Sequence, residues 1–132
     1  MCLTSSLALM KRQIICFMLI MLASSAVFAQ APGNAETTMK SMISAILANS
    51  LPDFVAQGDQ AFQEGMTKEM LASINQSLGS RLRQGYTTTF LTRLNQQGFA
   101  VYTWKMEFKD GNDDVLVFLA LKDGKVGGFW LR

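Results

Sequence analysis

Histidine is absent from this 132-residue chain, and both of its cysteines, Cys2 and Cys16, lie near the start. These two shortages remove whole classes of chemistry. Zinc centres of the usual His/Cys kind need ligands that the chain does not own. Ser-His-Asp triads and Cys-His dyads need a base that is missing throughout. Proline is scarce too, with only Pro32 and Pro52. Charge of one sign is also lacking beyond the first stretch, because Lys11 and Arg12 account for the whole excess of the twelve basic residues over the ten acidic ones. Residues 30–132 are therefore neutral. Nothing in that balance points to nucleic acid or to an anionic membrane surface.

What is present begins with an export pattern. Lys11-Arg12 forms a short positive region, and Ile14 to Ala23 is an uncharged apolar run. Ser24, Ser25 and Ala26 then lead to Val27-Phe28-Ala29, with small residues at −3 and −1 before Gln30. Positive end, apolar core and small-residue cleavage site are the order of a secretory signal peptide over residues 1–29. The run is shorter than the roughly 20 apolar residues a membrane span needs. Met10-Lys11-Arg12 is the more typical opening, so Met10 is the expected true start. Cys16 sits inside the apolar core rather than after it, which is the wrong place for a lipid anchor. Cleavage after Ala29 removes both cysteines and leaves no stable membrane anchor. The expected location is the periplasm or the external medium.

The remaining residues read as one α+β domain over 36–132, preceded by a flexible leader at 30–35 that contains Pro32-Gly33. Met39, Met42, Ile43, Ile46 and Leu47 form one stripe at helical period and predict a helix over 36–48. Ser50-Leu51-Pro52-Asp53 has the form of a new helix start, with Ser50 as N-cap. Phe54, Val55, Ala61 and Phe62 supply its buried face, and Gly58-Asp59 is a break. Thr67 caps a third helix over 68–78, with Gly79 as its terminator.

From Gly85 onward the period changes to two. Four strands are predicted, over 86–94, 99–109, 114–121 and 126–131, joined by short connectors that force an antiparallel meander. Asp123-Gly124 is the strongest turn signal, because a type I′ turn needs two residues that tolerate positive φ. In the second strand, Ala100, Tyr102, Trp104, Met106 and Phe108 point to the helices, and Val101, Thr103, Lys105, Glu107 and Lys109 point away. The third strand is apolar on both faces. The expected cover for its outer face is a second copy of the chain, a homodimer through Val115, Val117, Leu119 and Leu121.

The segments Phe54 to Asp59, Thr67 to Leu71, Trp104 to Asp114 and Leu121 to Val126, in this order and spacing, resemble the nuclear transport factor 2-like (cystatin-like) superfamily. In particular the chain is similar to small secreted bacterial domains of that type whose function is unassigned. The resemblance implies a strongly curved four-stranded sheet wrapped around helices, a cone-shaped apolar cavity and frequent dimerisation across the sheet. It implies no single function, since the fold hosts enzymes, binders and association modules.

No catalytic residue is expected. Enzymes of the fold such as ketosteroid isomerase use an Asp base with Tyr and protonated-Asp donors in an apolar pocket. Here Glu107 shares its face with Lys105 and Lys109, which makes a solvated ion-pair surface. Tyr102 points inward with no acid in view. The Asp110, Asn112, Asp113 and Asp114 cluster lacks the ligand spacing of a calcium loop and reads as turn chemistry, so no metal and no cofactor is expected. Arg81, Arg83 and Arg93 read as solvated surface. The inward aromatics Phe54, Phe62, Phe90, Tyr102, Trp104, Phe118 and Trp130 are the candidate lining of a pocket for a small apolar ligand. The function expected is an exported, non-enzymatic domain binding such a ligand or a protein partner. The alternatives are a purely structural homodimeric module and an isomerase- or hydratase-like enzyme.

Overall fold

The structure is a computed structural model that describes residues 32–132. The expected signal peptide, its expected cleavage site and the expected Met10 start lie outside the described residues. Four helices precede four strands: α1 (Gly33–Ala48), α2 (Leu51–Val55), α3 (Gln60–Gly65), α4 (Lys68–Gln84), β1 (Tyr86–Gln96), β2 (Phe99–Phe108), β3 (Val115–Lys122) and β4 (Lys125–Leu131). Among the described residues no helix is long and apolar enough to cross a membrane.

The helices are delimited by the chemistry of their ends. α1 starts at Gly33, earlier than the periodicity indicates. Pro32, at φ −52°, has the fixed backbone that suits a helix start, and its carbonyl accepts from Ala35 and Glu36. Ala35 is fully buried, so Gly33 to Ala35 belong to the domain and not to a flexible leader. At the other end Asn49 adopts φ 51°. Its N–H bonds to Ile46 O, and Ser50 N–H reaches Ala45 O, the paired closure of a Schellman motif. Ser50 then caps α2, Asp59 caps α3 by accepting from Phe62 N at 2.8 Å, and Thr67 caps α4 by accepting from Met70 N at 3.2 Å. α4 does not stop at Gly79. It runs on to Gln84 because Leu82 must be buried, and it ends at Gly85 with φ 117°. Gly79 is itself buried, with the side chains of Asn75 and Arg83 lying across it.

The sheet is an antiparallel meander in the order β1-β2-β3-β4. Asp123 and Gly124, at φ 51° and 75°, make the expected type I′ turn. Gln97-Gly98, at 52° and 82°, makes a second one, so β1 extends to Gln96 instead of ending at Leu94. Glutamine is an unusual residue at positive φ, which is why this turn is hard to see in the sequence. The break at Gly58-Asp59 has a tertiary role. Asp59 N–H donates to Val126 O, and Val126 N–H donates to Gln57 O, both at 2.8 Å, so the loop pairs with the start of β4.

Register settles which side of β3 is inside, and it reverses the expected assignment. Trp104 pairs with Val117, Tyr102 with Leu119, and Met106 with Val115. Val115, Val117, Leu119 and Leu121 therefore face the helices; Val117 and Leu119 are completely buried against α1 and its neighbours. Leu116, Phe118 and Ala120 form the outer set. A single strand with two apolar faces has no internal signal for its own orientation. Only pairing with β2 decides it.

Candidate functional site

The seven aromatics expected to line one inward pocket separate into three places. Phe90, Tyr102 and Trp104 cluster under α1, with ring centroids 5.9 Å (Phe90–Trp104), 6.2 Å (Tyr102–Trp104) and 6.4 Å (Phe90–Tyr102) apart. Phe54 packs on Phe62 and edge-on to Phe129, both at 5.8 Å. Phe62 also borders a hollow of about 390 Å³ between α3, α4 and β4. Phe118 and Trp130 are a cross-strand pair on the opposite side of the sheet. Both follow the outer parity of the β3–β4 register, and Trp130, on the edge strand, also borders the hollow that Phe62 lines.

The inner cluster is packed. Trp104 is wholly buried, and its indole N–H donates to Glu36 Oε2 at 3.1 Å. The other Glu36 oxygen takes Lys40 Nζ at 3.2 Å. Glu36 is thus held by two partners, and among the described residues no carboxylate is hydrogen-bonded to Tyr102. Tyr102 instead lies beneath the Arg93 guanidinium, 5.8 Å from its ring.

The Asp-rich turn is structural, and Arg81 is part of it. Arg81 Nε donates to Asp110 Oδ2 at 2.7 Å, its Nη2 reaches Asp113 O at 2.8 Å, and its guanidinium stacks 3.8 Å above Phe108. Arg81 is therefore a latch between α4 and the β2–β3 turn, not a solvated surface charge. The hydrogen bond from Arg81, then that from Asn112 N–H, holds the Asp110 carboxyl below the usual carboxylate range. Among the described residues no group of acids, histidines or cysteines is arranged to hold a metal. Lys105 and Glu107 pair at 3.0 Å on the outer face, as their alternation predicts.

The outer face carries the feature that sequence reasoning missed. Around the hairpin end of the sheet, Gln96, Phe99, Val101, Ala120, Gly127 and Trp130 line a hollow of about 590 Å³. A second hollow of about 280 Å³ shares Gln96, Val101 and Trp130 with it and adds Phe118 and Arg132. Its floor is low because β3 and β4 carry Ala120, Gly127 and Gly128 where other strands carry full side chains. The Phe99 ring occupies the place of a Cβ at Gly127, and the Trp130 ring that of a Cβ at Gly128. Gly127 is also the extra residue where the β3–β4 register shifts. Two aromatic rings thereby lie close against the β4 backbone, and on this face Val101 and Ala120 are buried while Trp130 itself stays 44 % exposed. Leu94 and Leu116 on the same face are exposed as well, and the buried Thr103 hydroxyl has no partner. A Gly-Gly pair inside a strand marks close approach of another group, and it was the available signal.

No protein-family model matches the sequence, and no curated protein matches it. Among solved structures the chain is similar to an uncharacterized cystatin fold protein from Novosphingobium aromaticivorans. The two share 16% identity at a TM-score of 0.37, over 77% of this chain and 99% of the other. That likeness concerns fold, and no function is assigned to the neighbour. Helices layered on a four-stranded antiparallel sheet, the expected α+β class, are established by the elements of this chain themselves.

Proposed function

We propose that this chain is an exported, non-enzymatic binding domain that takes a small apolar ligand on the outer face of its sheet, in the groove between Phe99 and Trp130. The groove carries the reading. Its main hollow, about 590 Å³, falls in the range of small-molecule sites, roughly 300–1,000 Å³, and its lining combines Val101, Ala120 and two aromatic rings with the amides of Gln96 and Gln97. The inner side of the sheet is occupied by packed side chains, which removes the conical cavity as the favoured site. The engagement of Glu36 by Trp104 and Lys40 weighs against acid–base catalysis there. Export rests on the pattern over residues 11–29, and the expected mature N-terminus is Gln30, readable by intact mass of the exported protein.

The binding test uses Trp130 as reporter in a Trp104→Phe background, titrated with the neutral ring probe 2-naphthylmethanol. Saturable one-to-one binding that Phe99→Ala weakens is expected, and Trp130→Ala, which removes the reporter, should weaken binding of the same probe in isothermal titration. Absence of saturable binding, with the variant folded by circular dichroism, refutes the groove.

A homodimer through the same face is the second reading, favoured by exposed Leu94 (41 %) and Leu116 (38 %) and by the orphan Thr103 hydroxyl. Its residues are Leu116, Phe118 and Trp130, not the inward set first expected. Four strands about 4.8 Å apart and 7 to 11 residues long present a footprint of roughly 570 Å². A standard interface takes about 800 Å² from each partner. That shortfall ranks the dimer second. Light scattering at high micromolar concentration decides it.

A further inference from the structure

We infer that the groove ligand is a ring-bearing carboxylate, its apolar body over Val101 and Ala120 and its acid group at the Arg132 guanidinium. This rests on the groove being the binding site, and it adds the chemical class.

Arg132 lines the smaller hollow, which is continuous with the larger one through Gln96, Val101 and Trp130. Its main chain is fixed: Leu116 N–H donates to Arg132 O at 2.7 Å, and Arg132 N–H donates to Leu116 O at 3.0 Å. Pairing with Leu116 puts the Arg132 side chain on the outer face, next to Trp130. Among the described residues the ion pairs engage Lys40, Arg81 and Lys105, and none engages Arg132. A guanidinium with no side-chain carboxylate partner among the described residues is matched by an incoming carboxylate, which it can hold bidentately.

The charge pattern of the face points the same way. Lys122 stands 5.7 Å from the Phe99 ring at the hairpin end of the groove. It pairs directly with Lys125 across the β3–β4 ladder, a like-charge opposition that costs stability in the empty protein. Glu107, the carboxylate of the β2 outer face, is already bonded to Lys105 and lies about eight residues along the strand from Phe99, roughly 26 Å. The groove thus has Val101 and Ala120 in its floor, with the Arg132 and Lys122 side chains towards its two ends. The Phe99 and Trp130 rings, close against Gly127 and Gly128, supply aromatic surface in the groove, which favours a ring-bearing body over a flexible chain.

Isothermal titration of the mature protein with 2-naphthoate, 2-naphthylmethanol and decanoate at low ionic strength tests this. Naphthoate is expected to bind about tenfold more tightly than the alcohol, with the advantage shrinking as salt is added. Arg132→Gln should erase the difference and leave alcohol affinity unchanged, whereas Arg132→Lys should keep part of it. Equal binding of acid and alcohol, or an acid preference that survives Arg132→Gln, overturns the carboxylate assignment and leaves the groove standing. Decanoate binding more tightly than naphthoate overturns the ring-bearing body. Failure of all three probes overturns the groove itself. Binding seen only on dilution below a dimer's dissociation range assigns the face to a second copy.

Discussion

Leu119 and Phe118 are adjacent on β3 and face opposite ways, so truncating each to alanine measures which side of the sheet is the core. Leu119 is fully buried. Leu119→Ala removes three carbons at about 0.8 kcal/mol each, roughly 2.4 kcal/mol of transfer energy. The unfilled cavity adds to this, for a total of about 3–4 kcal/mol. A domain of this size loses about 4–8 °C of melting temperature per kcal/mol, so the midpoint should fall by roughly 15–25 °C. Phe118 is the larger side chain but only half-buried, on a face where water fills the space it vacates. Phe118→Ala should cost about 1–1.5 kcal/mol, well under the 3–5 kcal/mol of a fully buried phenylalanine. The order is thus opposite to side-chain size. Thermal and urea denaturation at low micromolar concentration, where an outer-face dimer would be dissociated, gives both values. A Phe118→Ala loss equal to or greater than that of Leu119→Ala would show that the face assignment is wrong.

Three further outcomes follow from named contacts. Asp110, held below its ordinary pKa by Arg81 and Asn112, contributes stability that is present above the unfolded carboxylate value near about 4 and is lost as pH falls through the lower folded value. Asp110→Asn should therefore lower the melting temperature at neutral pH, and its deficit should shrink in acid; a deficit that is constant with pH rejects the latch. Thr67→Ala should cost about 1 kcal/mol by leaving the Met70 N–H uncapped, measured by urea denaturation, with Thr67→Ser close to wild type. Gly127→Ala should displace the Phe99 ring and weaken probe binding in the groove while changing stability little, because that ring can swing into solvent. Retained probe affinity in a folded Gly127→Ala protein would remove Phe99 from the site.

Local rules and long-range pairing divide the legibility of this molecule. Ser50, Asp59 and Thr67 are caps whose hydrogen bonds run to residues three positions on, so their function is contained in a few letters of sequence. The Asp123-Gly124 turn and the helical stripe of Met39, Met42, Ile43 and Ile46 are local in the same sense. Gly79 was misleading because its local signal, a helix stop, is outweighed by burial of Leu82 one turn later. Arg81 was misleading because its partners, Asp110 and Asp113, are 29 and 32 positions away.

The candidate site shows the same division. The aromatics were recognisable as a chemical resource, but their grouping was not. Phe118 and Trp130 meet on the outer face only through the β3–β4 register, and the groove floor exists only because Ala120, Gly127 and Gly128 come into line beneath Phe99.

By itself the sequence determined the inventory and the local geometry: no histidine, helices before strands, the caps, one tight turn, and the α+β class. These depend on residue identity and on periods of 3.6 and 2. The tertiary structure decided which face of β3 is core, that the inner side is filled, and that a groove lies outside. A strand apolar on both sides is symmetric to its own pattern, and only pairing with β2 and packing against α1 break that symmetry.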